Sequence, residues 1–415
     1  MNRFLQIHTL TSYPASLLNR DDAGFAKRIP FGGTVRTRIS SQCLKRHWRI
    51  FDGEDGFSGL GVDASVRSRV TFEDLVVKPL IAAKVDPELA RPVTQALVDA
   101  VLGKSSKAEK QSDEEGKEGK KKGGAKNDGA TAEVRTGQIT VLGRPEVNYL
   151  LDLAKKICAQ EPAVKDAKAA VEKFLGKDGL KAMRQLKHAA GLDAAMFGRM
   201  VTSDNLARCD AAIHVAHAFT VHTEATESDY FSAIDELLKS GADETLGSGH
   251  INSAELTSGL FYGYVAIDVP LLVSNLTGVE RKQWATADRT LPAKAVERLV
   301  KMIATVSPGA KLGATAPHAY AQWAMLEAGN AQPRTLANAF LQPVAVSSAR
   351  PDLLGNAFEA VGSHVASLDA MYGGSIQRKM ASAGPAARLG QPLVAAAGVT
   401  LADLAAWAAA MVKEA

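Results

Sequence analysis

Thr34-Val35-Arg36-Thr37-Arg38-Ile39 runs without a break into Ser40-Ser41-Gln42-Cys43-Leu44-Lys45-Arg46-His47-Trp48-Arg49. The first six residues read as a short strand. At Ser40 and Ser41 the pattern turns helical, with a serine hydroxyl available to cap the first free amides, and the helix runs to about Phe51. At about 100° per residue, Leu44, Trp48 and Phe51 share a narrow arc while Gln42, Lys45, Arg46 and Arg49 lie opposite. One face packs and the other is basic. Arg36 and Arg38, two apart on the strand, are expected on a common side.

Charge concentrates around this unit. Arg20, Lys27, Arg28, Arg36, Arg38, Lys45, Arg46 and Arg49 face only Asp21 and Asp22 between positions 20 and 49, a local +6 in a chain of 415 residues whose total is +4. The remainder holds 41 basic against 43 acidic residues. A uniform polar coat does not distribute charge this way. A basic stripe spanning loop, strand and helix is the footprint of a nucleic-acid site, and Lys45 and Arg49, one turn apart beyond the positive helix end, suit consecutive phosphates. The competing reading is a solvated helix face with two surface arginines.

Upstream, residues 4–10 read as a strand ended by Tyr13-Pro14, and residues 15–33 as a loop broken by Pro30 and the turn Gly32-Gly33. Downstream, residues 71–190 look helical, opening on a capping-box spacing from Thr71 to Asp74, with helices expected at 87–102, 145–158, 164–175 and 179–188. Lys104 to Arg135, built from Lys, Glu, Gly, Ser, Asp and Ala, reads as a disordered, solvated insert, with weak contact to nucleic acid as the alternative. Strands are expected at Cys209–Thr223 and Leu260–Val269. The excursion between them holds a short acidic helix, Ser228 to Leu238, and then Gly241 to Gly249. Helices at 287–306, 336–340, 353–372 and 401–413 flank a β-like segment at His318–Met325. Strands and helices together give an α/β (α+β) chain.

Several chemistries lack support. Cys43, Cys158 and Cys209 stand far apart, so no zinc spacing or disulfide framework exists, and a reducing cytoplasm fits. The N-terminus has no signal-like apolar region, and no apolar run approaches the ~20 residues needed to span a bilayer. No nucleotide-binding glycine motif follows a strand, and no cofactor is expected. His214, His217 and His222 share one expected strand, but their spacing puts neighbours on opposite faces, which favours packing over metal binding. His8 has the chemistry of a general acid or base in an RNA-cleaving enzyme but has no partner linked by spacing. Tyr230-Phe231, after Asp229, reads either as an aromatic wedge against bases or as an anchor of the short helix.

The residues resemble a known family. Leu18-Asn19-Arg20-Asp21-Asp22, Phe31-Gly32-Gly33 and Arg36 through Arg46 are similar to the N-terminal signature of the CasC family, the repeated backbone subunit of type I-E CRISPR Cascade. Phe197 to Ser203, Asp210 to His222, Ser258 to Tyr264, Pro308 to Lys311 and Ala337 to Phe340 extend the match. The resemblance implies an RNA-recognition-motif-like (ferredoxin-like) palm at 1–58, 196–222 and 258–415, helical fingers at 59–195 carrying the insert 104–135, and a thumb hairpin at 223–257. It implies that Arg20, Lys27, Arg38, Ser40, Gln42, Lys45, Arg46 and Arg49 grip CRISPR RNA, that Met200 abuts a kinked nucleotide, and that Tyr230 and Phe231, with His250 and Ile251, form the thumb wedge. The implied partners are CRISPR RNA, a target DNA strand, further copies head to tail, and other Cascade subunits at the ends and along the belly. Such a subunit is not an enzyme. The alternative is a CRISPR-associated endoribonuclease of similar fold acting through His8.

Overall fold

The first strand, β1 (Phe4–Ser16), is longer than expected because Pro14 does not end it. Its register on the neighbouring long strand slips between Tyr13, opposite Gly259, and Ser16, opposite Thr257. That leaves one extra residue on β1. A bulge asks for no ladder donor from Pro14 and admits the positive φ of 35° at Ala15.

The computed structural model describes residues 2–103, 133–160, 162–184, 186, 190–199, 209–234, 248–373 and 376–414. Two compact units emerge, one from 1–60, 213–270 and 288–415, the other from 61–212 and 271–287.

In the first unit β1 is followed by β2 (Arg28–Phe31), β3 (Thr34–Ile39), β4 (Ile213–Val215), β5 (Ala218–Thr220), β6 (Thr226–Ile234), β7 (Ser248–Asp268), β8 (Ala321–Gly329) and β9 (Gln377–Ser382). They form one antiparallel sheet in the order β9-β8-β1-β7-β5-β3-β2, with β4 and β6 also paired to β7. The strand expected at 209–223 is therefore two. Val215 pairs with Val265 and Phe219 with Tyr262, so one extra residue lies between them and breaks the period. The helix expected from Ser228 is also corrected. Through Ile234 the chain is a strand, because every residue from Thr226 has a cross-strand partner on β7; residues 235–247 lie outside the described residues. Strand β9 escapes a pattern search because only Met380 of Gln-Arg-Lys-Met-Ala-Ser is buried.

Helices α1 (Ser41–Ile50), α2 (Thr290–Thr305), α3 (Leu353–Tyr372) and α4 (Leu401–Lys413) match their expected spans closely. Phe358, Val361 and Val365 of α3 pack with Leu10, Tyr262, Trp323 and Met325 on one face of the sheet. On the other face Thr9, Tyr13 and Phe261 meet Leu44 and Trp48 of α1 and Ile303 of α2. With Leu5 through Thr11 all buried, β1 has helices over both faces.

The second unit is built on helices Pro87–Leu102, Arg144–Cys158 and Ala167–Arg184 around Val93, Leu97, Leu150, Ile157 and Val171. The helices expected at 164–175 and 179–188 are separated at Gly176, whose φ of 41° and ψ of −165° break the helical path between them. The capping box at Thr71 does not form; its hydroxyl donates to the Ser68 carbonyl at 3.3 Å. A two-stranded ladder, Val66–Ser68 with Thr140–Leu142, was not expected. The disordered insert was drawn too long: Val134 is buried in this unit's core and its N–H donates to Glu73 Oε2 at 2.9 Å. Residues 104–132 lie outside the described residues.

The β2–β3 hairpin closes in two residues, with φ of 61° at Gly32 and 78° at Gly33, the mirror-image turn that matches strand twist. A Cβ on Gly32 meets the Leu341 carbonyl oxygen at 1.5 Å, whereas one on Gly33 meets nothing. Gly33→Ala should therefore cost about 1–2 kcal/mol of left-handed strain, and Gly32→Ala clearly more, because backbone must also move. Urea unfolding of the two variants checks the order; equal costs would contradict it.

Candidate nucleic-acid interface

The basic segment folds around Asn19. Its side-chain oxygen accepts from the Ser40 N–H at 2.9 Å, and its carbonyl accepts from the Lys27 N–H at 2.9 Å. The Lys27 carbonyl in turn accepts from the Arg38 N–H at 2.7 Å. Loop, strand and helix start are thus fastened together. Ser40 is the N-cap: its Oγ accepts from the Cys43 N–H at 3.3 Å. Ser40 is buried, so its hydroxyl shapes the helix end rather than standing out as a phosphate contact.

Around that end the cations converge. The Ser41 N–H donates to His217 Nδ1 at 3.0 Å. Burial lowers the His217 pKa, and the charges of Arg38, Lys27 and Lys45 lower it further. On the next turn burial raises the Cys43 thiol against the pull of Arg46 and Lys27. Arg20, Gln42 and Arg46 are exposed, and Lys27, Arg38, Lys45 and Arg49 half-buried. The positive end of a helix set among several cations has the chemistry to hold phosphates.

Two members of the stripe are spent elsewhere. Arg36 was expected beside Arg38 on an outward side, yet it is fully buried. Its guanidinium donates to the carbonyls of Phe31 at 3.3 Å, Thr220 at 3.0 Å and Phe340 at 3.0 Å. The two arginines share a strand face, but the turn ending at Phe340 covers only the first. Arg28 is ion-paired to Glu224 and Glu255, acids from the base of the β6–β7 ribbon. Sequence reasoning missed these acids because they lie about two hundred residues away along the chain.

Tyr230 and Phe231 sit on β6, not in the short helix expected there, and adjacent strand positions point to opposite faces. They are 65% and 42% exposed, which removes the reading of a buried anchor. Lys311 Nζ lies 5.6 Å from the Phe231 ring. His250 and Ile251 pair with Ala233 and Ser232, further along the same ribbon. Met200 lies outside the described residues. Its neighbour Arg199 forms a fully buried double ion pair with Glu146, at 2.6 and 2.9 Å, in the second unit.

His8 is fully buried. Nδ1 is 2.9 Å from the Tyr262 hydroxyl and Nε2 3.5 Å from Glu327 Oε2. Burial opposes ionisation of Glu327, but His8 and Arg378 outweigh it and hold the carboxyl at about 2. The histidine is a core strut, with no path for an RNA hydroxyl to reach its ring nitrogens. No cluster of three or more His, Cys, Asp or Glu is arranged to hold a metal ion among the described residues.

A family model for CT1975-like proteins matches residues 5–407. No curated protein matches the sequence. Among solved structures, a chain of a "CRISPR RNA-guided surveillance complex, pre-nicking" superposes with a TM-score of 0.74 at 24% identity, over 99% of this chain and 100% of that one. A chain of a "CRISPR RNA-guided surveillance complex" gives 0.64 at 22%, again over 99% and 100%. The likeness is one of fold, and it bears out the α/β architecture that the resemblance implied.

Two histidines make the fold pH-sensitive. His217 accepts the Ser41 N–H, and His222 Nε2 accepts the Leu260 N–H at 3.2 Å, so both need that nitrogen unprotonated. Burial lowers His222, opposed by the Thr223 carbonyl and aided by Arg36. Histidine in the unfolded chain titrates near 6.5. Their contribution is thus complete above about pH 6.5 and lost as pH falls through the lower folded values. Urea midpoints at about pH 7.5 and 5.5 should differ less in His217→Gln/His222→Gln than in the wild type; an unchanged difference would contradict this.

Proposed function

The chain belongs to the CT1975-like protein family, which bears out the resemblance read from its N-terminal signature, and we propose that it is a non-catalytic RNA-binding backbone subunit of a CRISPR surveillance complex. The observation that carries the proposal is the fastening of Lys27 and Arg38 to the start of α1 through Asn19, which gathers these cations and Lys45 around Ser41 and His217. Structures sharing this fold come from CRISPR RNA-guided surveillance complexes, and a guide RNA is the polyanion such a strip would hold. Arg20, Lys27, Arg38, Gln42, Lys45, Arg46 and Arg49 take the backbone, with Ser40 setting the helix end. Backbone is all the protein need read, because base pairing reads the sequence.

In this account the first unit supplies the RNA-recognition-motif-like palm and the ribbon of β6 and β7 is the thumb. The second unit is the fingers, with Met200 beside the RNA. Copies follow one another head to tail along one CRISPR RNA in a cytoplasmic type I-E complex. The open, non-closing contact requires other Cascade subunits to cap its ends. The ribbon is exposed along Thr226–Phe231, and Tyr230 and Phe231, with His250 and Ile251 beyond them, wedge the RNA so that the remaining bases pair with a target DNA strand. The endoribonuclease reading needs His8 in solvent, and its burial against Tyr262 and Glu327 speaks against it.

Binding to single-stranded RNA across a salt series tests the proposal. Each phosphate contact contributes about −0.7 to the log-log slope. Lys27→Ala and Lys45→Ala should each flatten the slope by roughly one contact, while Arg28→Ala, already neutralised by two glutamates, should leave it in place. Salt-independent binding of the wild type would defeat the proposal.

A further inference from the structure

Phe25 is a large apolar side chain 52% exposed in the middle of the basic segment, between Arg20 and Lys27. Its backbone is held on every side. Arg20 and Ala26 form an antiparallel bridge. The Asp21 N–H donates to the Phe25 carbonyl at 2.8 Å, and the Phe25 N–H donates to Asp21 Oδ1 at 2.9 Å. Gly24, at a φ of 95°, turns the chain. One residue on, Ala26 is buried and its N–H donates to Glu255 Oε2 at 2.6 Å. Glu255 is itself tied by Arg28. Thus a tight turn is clamped at both ends, and the ring it carries stands in solvent.

We infer that Phe25 is a base-stacking residue: its ring lies against a base of the single-stranded RNA whose phosphates Arg20 and Lys27 hold. The inference rests on the RNA-binding reading above and extends it from the backbone to a base. Leaving the ring in water forgoes the stabilisation of burial. A base is the matching occupant, because every base offers an apolar π-face while its phosphates satisfy the flanking cations. The Asp21 carboxylate, which would repel those phosphates, is engaged by the Phe25 amide. Phenylalanine has two side-chain torsions and the turn is already ordered, so little freedom is lost on stacking. Glu255, through Ala26 and Arg28, is the positioning residue for the turn.

The test uses the full chain and single-stranded RNA carrying a fluorescent adenine analogue, in one oligonucleotide short enough for a single copy and one long enough for several. Phe25→Ala should weaken single-copy binding about tenfold without changing the salt slope, since no phosphate contact is lost, and should reduce quenching of the analogue. Phe25→Trp should bind as the wild type does, with its emission quenched by RNA. Unchanged affinity and quenching in Phe25→Ala would overturn the inference. So would equal losses in both variants. A loss confined to multi-copy loading would also overturn it, assigning the ring to a contact between copies. Failure of the wild type to bind RNA in a salt-dependent way would instead remove the underlying reading.

Discussion

Arg36 is a guanidinium buried without a carboxylate: among the described residues its partners are the carbonyls of Phe31, Thr220 and Phe340. Removing such an ion from water costs several kcal/mol unless its N–H groups are met by acceptors. Three segments supply them: the hairpin turn, strand β5 and the turn at 337–340. The Phe31 ring adds a face 5.8 Å from the guanidinium carbon. Moving any one segment away would leave a buried charge short of an acceptor. Hence the β2–β3 hairpin has one position against the rest of the sheet. Arg38, Lys27 and the start of α1 are referenced to that hairpin through backbone hydrogen bonds, so the geometry of the basic strip inherits the same constraint.

A second economy lies in β7, whose residues 259–268 are a central strand of the sheet and whose residues 248–257 form half of the exposed ribbon. The basic loop is tied to the base of that ribbon by Arg28, Glu224, Glu255 and the Ala26 amide. The basic strip and the ribbon carrying Tyr230 and Phe231 therefore stand on one rigid framework. The repeated RNA-bound subunit proposed above requires this property, since a fixed distance between strip and ribbon would give a fixed spacing along the strand.

Much of this was legible in the sequence where local signals agree. The helix from Ser41 has its cap, its apolar arc ending in buried Trp48 and its basic face in the expected places. Gly32-Gly33 behaves as a turn, and α3 and α4 begin and end where the pattern says. What stayed hidden depends on contacts far apart in the chain. Composition counts Arg28 and Arg36 with the other cations, but Glu224, Glu255 and the Phe340 carbonyl, brought in from distant segments, take them out. Residues 228–234 read as helix because Ser228, Asp229, Ser232 and Ala233 dilute the β preference of Tyr230, Phe231 and Ile234, and pairing with β7 decides the outcome. His8 stayed open to the endoribonuclease alternative because sequence does not show that Tyr262 and Glu327 enclose it. The ring of Phe25 was one aromatic among thirteen phenylalanines until its exposure and its clamped turn were seen.

The central claim is that RNA runs over the loop, strand and helix between positions 19 and 49. Ultraviolet cross-linking of the protein loaded on single-stranded RNA, followed by mass spectrometry of the joined peptides, tests it directly. The account predicts that cross-linked peptides concentrate in residues 19–49, with a second group from the β6–β7 ribbon. Cross-links that avoid residues 19–49 while RNA remains bound would contradict it.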